Sequence, residues 1–181
     1  MLHIVVPEVE FFDERTSTFT TLKEQRLAME HSLVSISKWE AMYNKPFLTK
    51  DKKSGKEMLD YIKCMTITQN VDDRIFQVLT KENLIDVSEY IAAPMTATTF
   101  GSSRSSGSPQ RQVVTSELIY YWMVSYNIPF ECQKWHVNRL LTLIEILNIK
   151  NTPPKKRSKS EIMSDRKRLN AQRRRSLKTK G

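Results

Sequence analysis

Residues 129–147, PFECQKWHVNRLLTLIEIL, constrain the fold more than any other part of the chain. Phe130, Val137, Leu140, Leu141, Ile144 and Leu147 recur at the spacing of one α-helical face. A second stripe, Cys132, His136, Leu140, Leu143 and Leu147, runs beside it. Only Lys134, Asn138, Thr142 and Glu145 are left for water, so a helix over these residues must be surrounded by other elements. Pro129 suits a first helical turn, where its missing N–H would have no partner. Asn148 and then Pro153-Pro154 mark the end. The pattern predicts a helix over 129–148 at the centre of the core.

What packs around it follows from the rest of the chain. Thr115-Ser116-Glu117 opens a second apolar segment, LIYYWMVSY, which the short turn at Asn127 folds back as an antiparallel neighbour. Upstream, Thr21-Leu22-Lys23-Glu24 has the form of a capping box. It predicts a helix to about Tyr43, with Leu22, Met29, Leu33, Ile36 and Tyr43 on one face. Ser54-Gly55-Lys56-Glu57 repeats the box before Met58, Tyr61, Ile62 and Met65. A short turn bears Ile75, Phe76 and Leu79; Thr80 then caps a helix with Leu84, Val87 and Ile91, which Pro94 stops. Residues 1–20 read as a β-hairpin turning at Asp13-Glu14-Arg15-Thr16, with Pro7 confined to an edge or bulge. Residues 100–112, FGSSRSSGSPQRQ, are too poor in apolar side chains to order themselves and read as a flexible loop.

The charge is divided unevenly. Residues 1–149 carry 16 Lys and Arg against 18 Asp and Glu; residues 150–181 carry 13 against 2. A nearly neutral domain is therefore joined to a strongly basic arm. The fold class is mainly α: a short hairpin (1–20), a compact helical domain (21–150) and a basic tail (151–181), disordered or a frayed helix.

Chemistry is sparse. Cys132 and His136 stand one helical turn apart, but zinc needs three or four ligands and no second pair lies at a suitable spacing. They read as core residues, and Cys64 and Cys132 as free thiols. A Cys-His nucleophile would need a polarised, accessible pocket, against which Phe130, Trp135 and Leu140 argue. Asp72-Asp73 reads as helix capping, and the serine-glycine loop lacks a phosphate-cradling pattern. The residues point to no catalytic group, cofactor or metal, and to a protein that is not an enzyme. No apolar run approaches the roughly 20 residues of a membrane span. The N-terminus does not have the form of a signal peptide, which gives a cytosolic expectation.

Several blocks carry a resemblance: MEHSLVSISKWE (29–40), YIKCMTITQNV (61–71), YIAAPMTATTF (90–100), and SELIYYWMVSYNIPFECQKWHVNRLLTLIEI (116–146). With the terminal KRLNAQRRRSLKTKG, they resemble tail assembly chaperones of long-tailed bacteriophages. The resemblance implies a non-enzymatic protein of the host cytoplasm. Such a protein binds the tape measure protein, a long, helical, aggregation-prone chain, and holds it soluble until tube subunits polymerise around it. It also implies a second partner, the protein's own frameshift-extended form. On physical grounds the client's acidic residues would meet Lys155, Lys156, Arg157, Arg166, Lys167, Arg168, Arg173, Arg174 and Arg175, while its apolar stripe enters a groove. The competing readings are a structural virion component and a nucleic-acid binder acting through the same arm. The arm has no aromatic residues among its basic ones, which weighs against the second.

Overall fold

A computed structural model describes residues 1–13, 17–99, 113–152 and 159–177. The 100–112 loop and part of the turn at 13–16 lie outside these. The described residues are mainly helical, with two two-stranded antiparallel ribbons at the start. The chain divides into two units, Met1–Leu147 and Asn148–Gly181.

Strand β1 (Leu2–Val6) pairs with β4 (Gln25–Met29), and β2 (Val9–Asp13) with β3 (Thr18–Leu22). Leu2 faces Met29, Val6 faces Gln25, Val9 faces Leu22 and Asp13 faces Thr18, so both ladders keep one register. They are one long hairpin, broken where Pro7-Glu8 lies opposite Lys23-Glu24. Pro7 has no N–H to donate, which accounts for the break. The buried face changes there as well. Ile4 and Val6 are buried before it, whereas beyond it Leu22 is buried, Val9 and Phe11 are partly so, and Phe12 is exposed. The ribbon turns over at the proline.

This hairpin corrects the predicted helix over 21–43. Thr21 and Leu22 end β3, and Gln25–Met29 is a strand whose Leu27 and Met29 are fully buried at a period of two. Cross-strand pairing with β1 overrides the local cap signal. Helix α1 (Leu33–Tyr43) begins later, capped by Ser32, with Ser35 returning the bond to the Ser32 N–H at 3.0 Å. Asn44 ends it in the left-handed conformation, φ 52°, which asparagine tolerates.

Helix α2 (Gly55–Met65) starts at the expected capping box: Ser54 Oγ accepts from the Glu57 N–H at 3.2 Å, and Glu57 Oε2 from the Ser54 N–H at 2.7 Å. A 3₁₀ turn (Asp73–Gln77) buries Ile75 and Phe76, capped by Asp72. Helix α3 (Lys81–Ala92) begins at Thr80 and stops before Pro94. Helix α4 (Ser116–Ser125) buries Ile119 and Met123 and is capped by Thr115.

The stretch after Pro129 differs from its prediction. Phe130–Lys134 is a 3₁₀ turn, Trp135 is extended, and α5 (Val137–Asn151) starts eight residues after Pro129. Phe130 is 54% exposed. The His136 ring accepts at Nδ1 from the Asn138 N–H at 3.3 Å, and the Val137 N–H donates to the His31 carbonyl at 2.7 Å. Both contacts place the helix start at residue 137. Packing centres on α1, which touches α2, α4 and the 3₁₀ turn at 130–134; its Leu33, Ile36 and Trp39 are sealed from solvent.

Buried Glu40 of α1 fastens two other segments. Its Oε1 accepts from the Phe47 N–H at 2.8 Å and its Oε2 from the Ser116 N–H, at the start of α4, at 2.7 Å. The helix dipole favours a carboxylate there. Phe47 stacks on Tyr61 at 3.9 Å, and the Trp39 Nε1–H donates to the Glu57 carbonyl at 2.8 Å. In the second unit, α6 (Lys159–Leu177) is a 19-residue helix.

Candidate functional site

Among the described residues three places stand out: a buried polar cluster, an apolar groove and the face of α6.

The polar cluster joins four segments. The His31 Nδ1 is hydrogen-bonded to the Tyr61 hydroxyl, which also lies 3.4 Å from Ser35 Oγ. The His31 and His136 rings meet edge-to-face at 5.0 Å. Because His136 Nδ1 accepts from Asn138, its Nε2 carries the proton and donates to the Tyr90 carbonyl at 3.0 Å. Asn138 Nδ2 donates to the Ile91 and Ala93 carbonyls at 3.2 and 2.8 Å, satisfying groups that the end of α3 leaves open. The Tyr90 hydroxyl donates to Glu30 Oε1 at 2.6 Å. Burial, reinforced by His136, pushes the His31 imidazole down to about 3, and burial lowers His136 as well. Both rings are therefore neutral at pH 7. Among the described residues no buried side-chain nitrogen or oxygen lacks a partner, and no three His, Cys, Asp or Glu side chains surround a metal-sized space. The cluster is closed and its hydrogen bonds are satisfied. Cys132 is buried nearby in the chain, and Cys64 is half-buried.

The groove is different in kind. Helices α2 and α3 leave between them a cavity of about 450 Å³. Gly55, Met58, Leu59 and Ile62 line one wall, and Leu84, Val87, Ser88 and Ile91 the other. All but Gly55 and Ser88 are apolar. Leu84 stays partly open to solvent, and Ile85 beside it is 55% exposed. Gly55 widens the entrance, since a Cβ added there would meet no atom within 4 Å. The sequence signal for the site was present in the apolar faces of two capped helices; read singly, each face looked like core.

Charge around the groove is sorted by helical position. At about 100° per residue, Lys56 and Lys63 flank the lining residue Leu59, and Lys81 lies one turn before Leu84. The acids of α2 turn elsewhere: Glu57 binds Lys45 Nζ at 3.1 Å and Asp60 takes the Tyr43 hydroxyl at 2.5 Å. The hydrogen bond to Asp60 holds the Tyr43 phenol up at about 12. Glu82, Asp86 and Glu89 fall on the flank of α3 opposite to its groove face. Lys63 pairs with Asp73 at 3.3 Å; Lys56 and Lys81 are exposed.

Of the nine basic residues singled out from the sequence, Arg166, Lys167, Arg168, Arg173, Arg174 and Arg175 lie exposed on α6. They form two triplets seven residues apart, about 10.5 Å along the helix axis, and Arg168 pairs with Asp165 at 3.7 Å. Lys155, Lys156 and Arg157 lie outside the described residues. Ile162, Met163 and Leu169 are exposed on the same helix.

No protein-family model, curated protein or solved structure matches the chain, and no described helix is long and apolar enough to cross a membrane.

Proposed function

We propose that this protein is a tail assembly chaperone of a long-tailed bacteriophage, acting in the host cytoplasm without catalysis or cofactor. It binds the tape measure protein and keeps it soluble during tail assembly. The observation that carries the reading is the open apolar groove between α2 and α3: a groove of two helical turns suits the apolar stripe of a helical client. The resemblance of the 29–40, 61–71, 90–100 and 116–146 blocks supplies the identity of that client. The basic arm acts as a tether, because exposed charge pairs are weak singly, about 0–1 kcal/mol, and serve mainly to speed capture. The frameshift-extended form would share the same groove.

The test is co-expression with the tape measure protein of the same phage. The expected result is a soluble complex that elutes together on size exclusion. A tape measure protein equally insoluble with and without this chain overturns the reading.

One observation favours a second reading. Two basic triplets repeated on one helix can follow a phosphate backbone. Nucleic-acid binding predicts affinity for duplex DNA that falls steeply and linearly in log–log form with salt; absence of binding at low salt disposes of it.

A further inference from the structure

The groove's border selects among helical ligands. Of the charged residues on α2 and α3, Lys56, Lys63 and Lys81 border the lining by helical position. Lys63 is paired with Asp73, which leaves Lys56 and Lys81 to set the border. Glu57 and Asp60 are engaged, and Glu82, Asp86 and Glu89 fall on the flank of α3 opposite to the groove. We infer that the groove takes an amphipathic helix whose apolar stripe is edged by Asp and Glu, and discriminates against one edged by Lys and Arg. The inference rests on the chaperone reading and names the class of client segment that the site would take.

Length agrees with this ligand. The wall from Leu84 to Ile91 runs seven residues, about 10.5 Å, so it receives apolar side chains at i, i+3 or i+4, and i+7. Carboxylates on the flanks of that stripe then fall near Lys56 and Lys81. Charge also argues against the α6 of a second copy as the occupant. The α6 of a second copy carries Ile162 and Leu169 seven apart, but it would bring Arg166 and Arg173 against the lysine border. Like charges across an interface oppose association.

The experiment uses the full chain and two designed, fluorophore-labelled peptides of about 20 residues. Both carry the same leucine stripe, flanked by Glu in one and by Lys in the other. Fluorescence anisotropy should show the Glu-flanked peptide bound at least fivefold more tightly. Gly55→Trp, which fills the entrance, should weaken that peptide at least tenfold while the melting midpoint is unchanged. Ser88→Trp, from the opposite wall, is the second blocking variant should the first not fold. Lys56→Glu with Lys81→Glu should reverse the order of the two peptides. The basic arm is present in every protein compared, so its own attraction for carboxylates does not account for a loss on blocking the groove. Equal affinity for the two peptides, or binding unaffected by both tryptophans, overturns the inference. So does concentration-dependent dimerisation that Gly55→Trp abolishes, since it gives the groove to a second copy. Peptide discrimination without any solubilised tape measure protein would sink the chaperone reading and leave the ligand class standing; a solubilised client without discrimination would do the reverse.

Discussion

Leu140, Glu40 and His31 show three ways in which single residues hold this fold. Leu140 has no exposed surface, so Leu140→Ala should cost about 2–5 kcal/mol in denaturant unfolding; an unchanged midpoint would remove it from the core. Glu40→Ala leaves the Phe47 and Ser116 N–H groups buried and unpaired. Hydrogen bonds to charged groups contribute about 1.5–3 kcal/mol each, and loss of both should lower the melting midpoint sharply. His31 couples the core to pH. Its folded-state value of about 3 lies below the 6.5 of an unfolded histidine. The unfolded state therefore takes up the proton first as pH falls. The stability due to a neutral His31 is complete above about pH 6.5 and declines toward pH 3, by about 1.4 kcal/mol per pH unit within that window. His136, also depressed, adds in the same direction. Urea midpoints measured from pH 7 to pH 4 should fall accordingly, and a flat profile would contradict the buried, neutral pair. The sequence placed Cys132 and His136 in the core but gave no sign of the contact with His31, which lies 105 positions away and depends on tertiary folding alone.

At the scale of elements, capping chemistry was legible where nothing competed with it. Ser54, Thr80 and Thr115 start α2, α3 and α4 as their side chains dictate. Thr21 does not start a helix, because Leu27 and Met29 are buried against β1. Of the residues chosen for that helical face, Leu22, Met29, Leu33 and Ile36 are in the core and Tyr43 is only partly buried; spacings of seven, four and three hid two strands followed by a helix. Phe130 fitted the stripe of α5 only under the assumption of unbroken helix from Pro129. The groove was illegible for a related reason: periodicity marks the apolar face of α2 and of α3 but not how far apart their walls stand. Gly55→Ala tests the helix without blocking the groove. The added methyl meets open space, so this change should be neutral or stabilise by about 0.4–1 kcal/mol through the unfolded chain. A marked loss of stability would show that the first turn of α2 is packed, not open.

The whole molecule divides its charge as it divides its units. The first 149 residues are nearly neutral, and the remainder carries 13 basic residues against 2 acidic ones. Deleting residues 155–181 should leave the melting midpoint of the first unit unchanged and slow client capture. Raising salt should mimic the deletion, because screening acts on exposed charge and little on buried apolar contact. Equal capture by full-length and truncated protein at low salt would rule the tether out. The groove is the part on which the proposed function stands, so its most direct test is the soluble fraction of the tape measure protein co-expressed with the intact chain, with Gly55→Ala and with Gly55→Trp. The groove account predicts that the intact chain and Gly55→Ala keep the client in the supernatant, while Gly55→Trp, folded and equally abundant, leaves it in the pellet. A client kept equally soluble by folded Gly55→Trp and Ser88→Trp would contradict it.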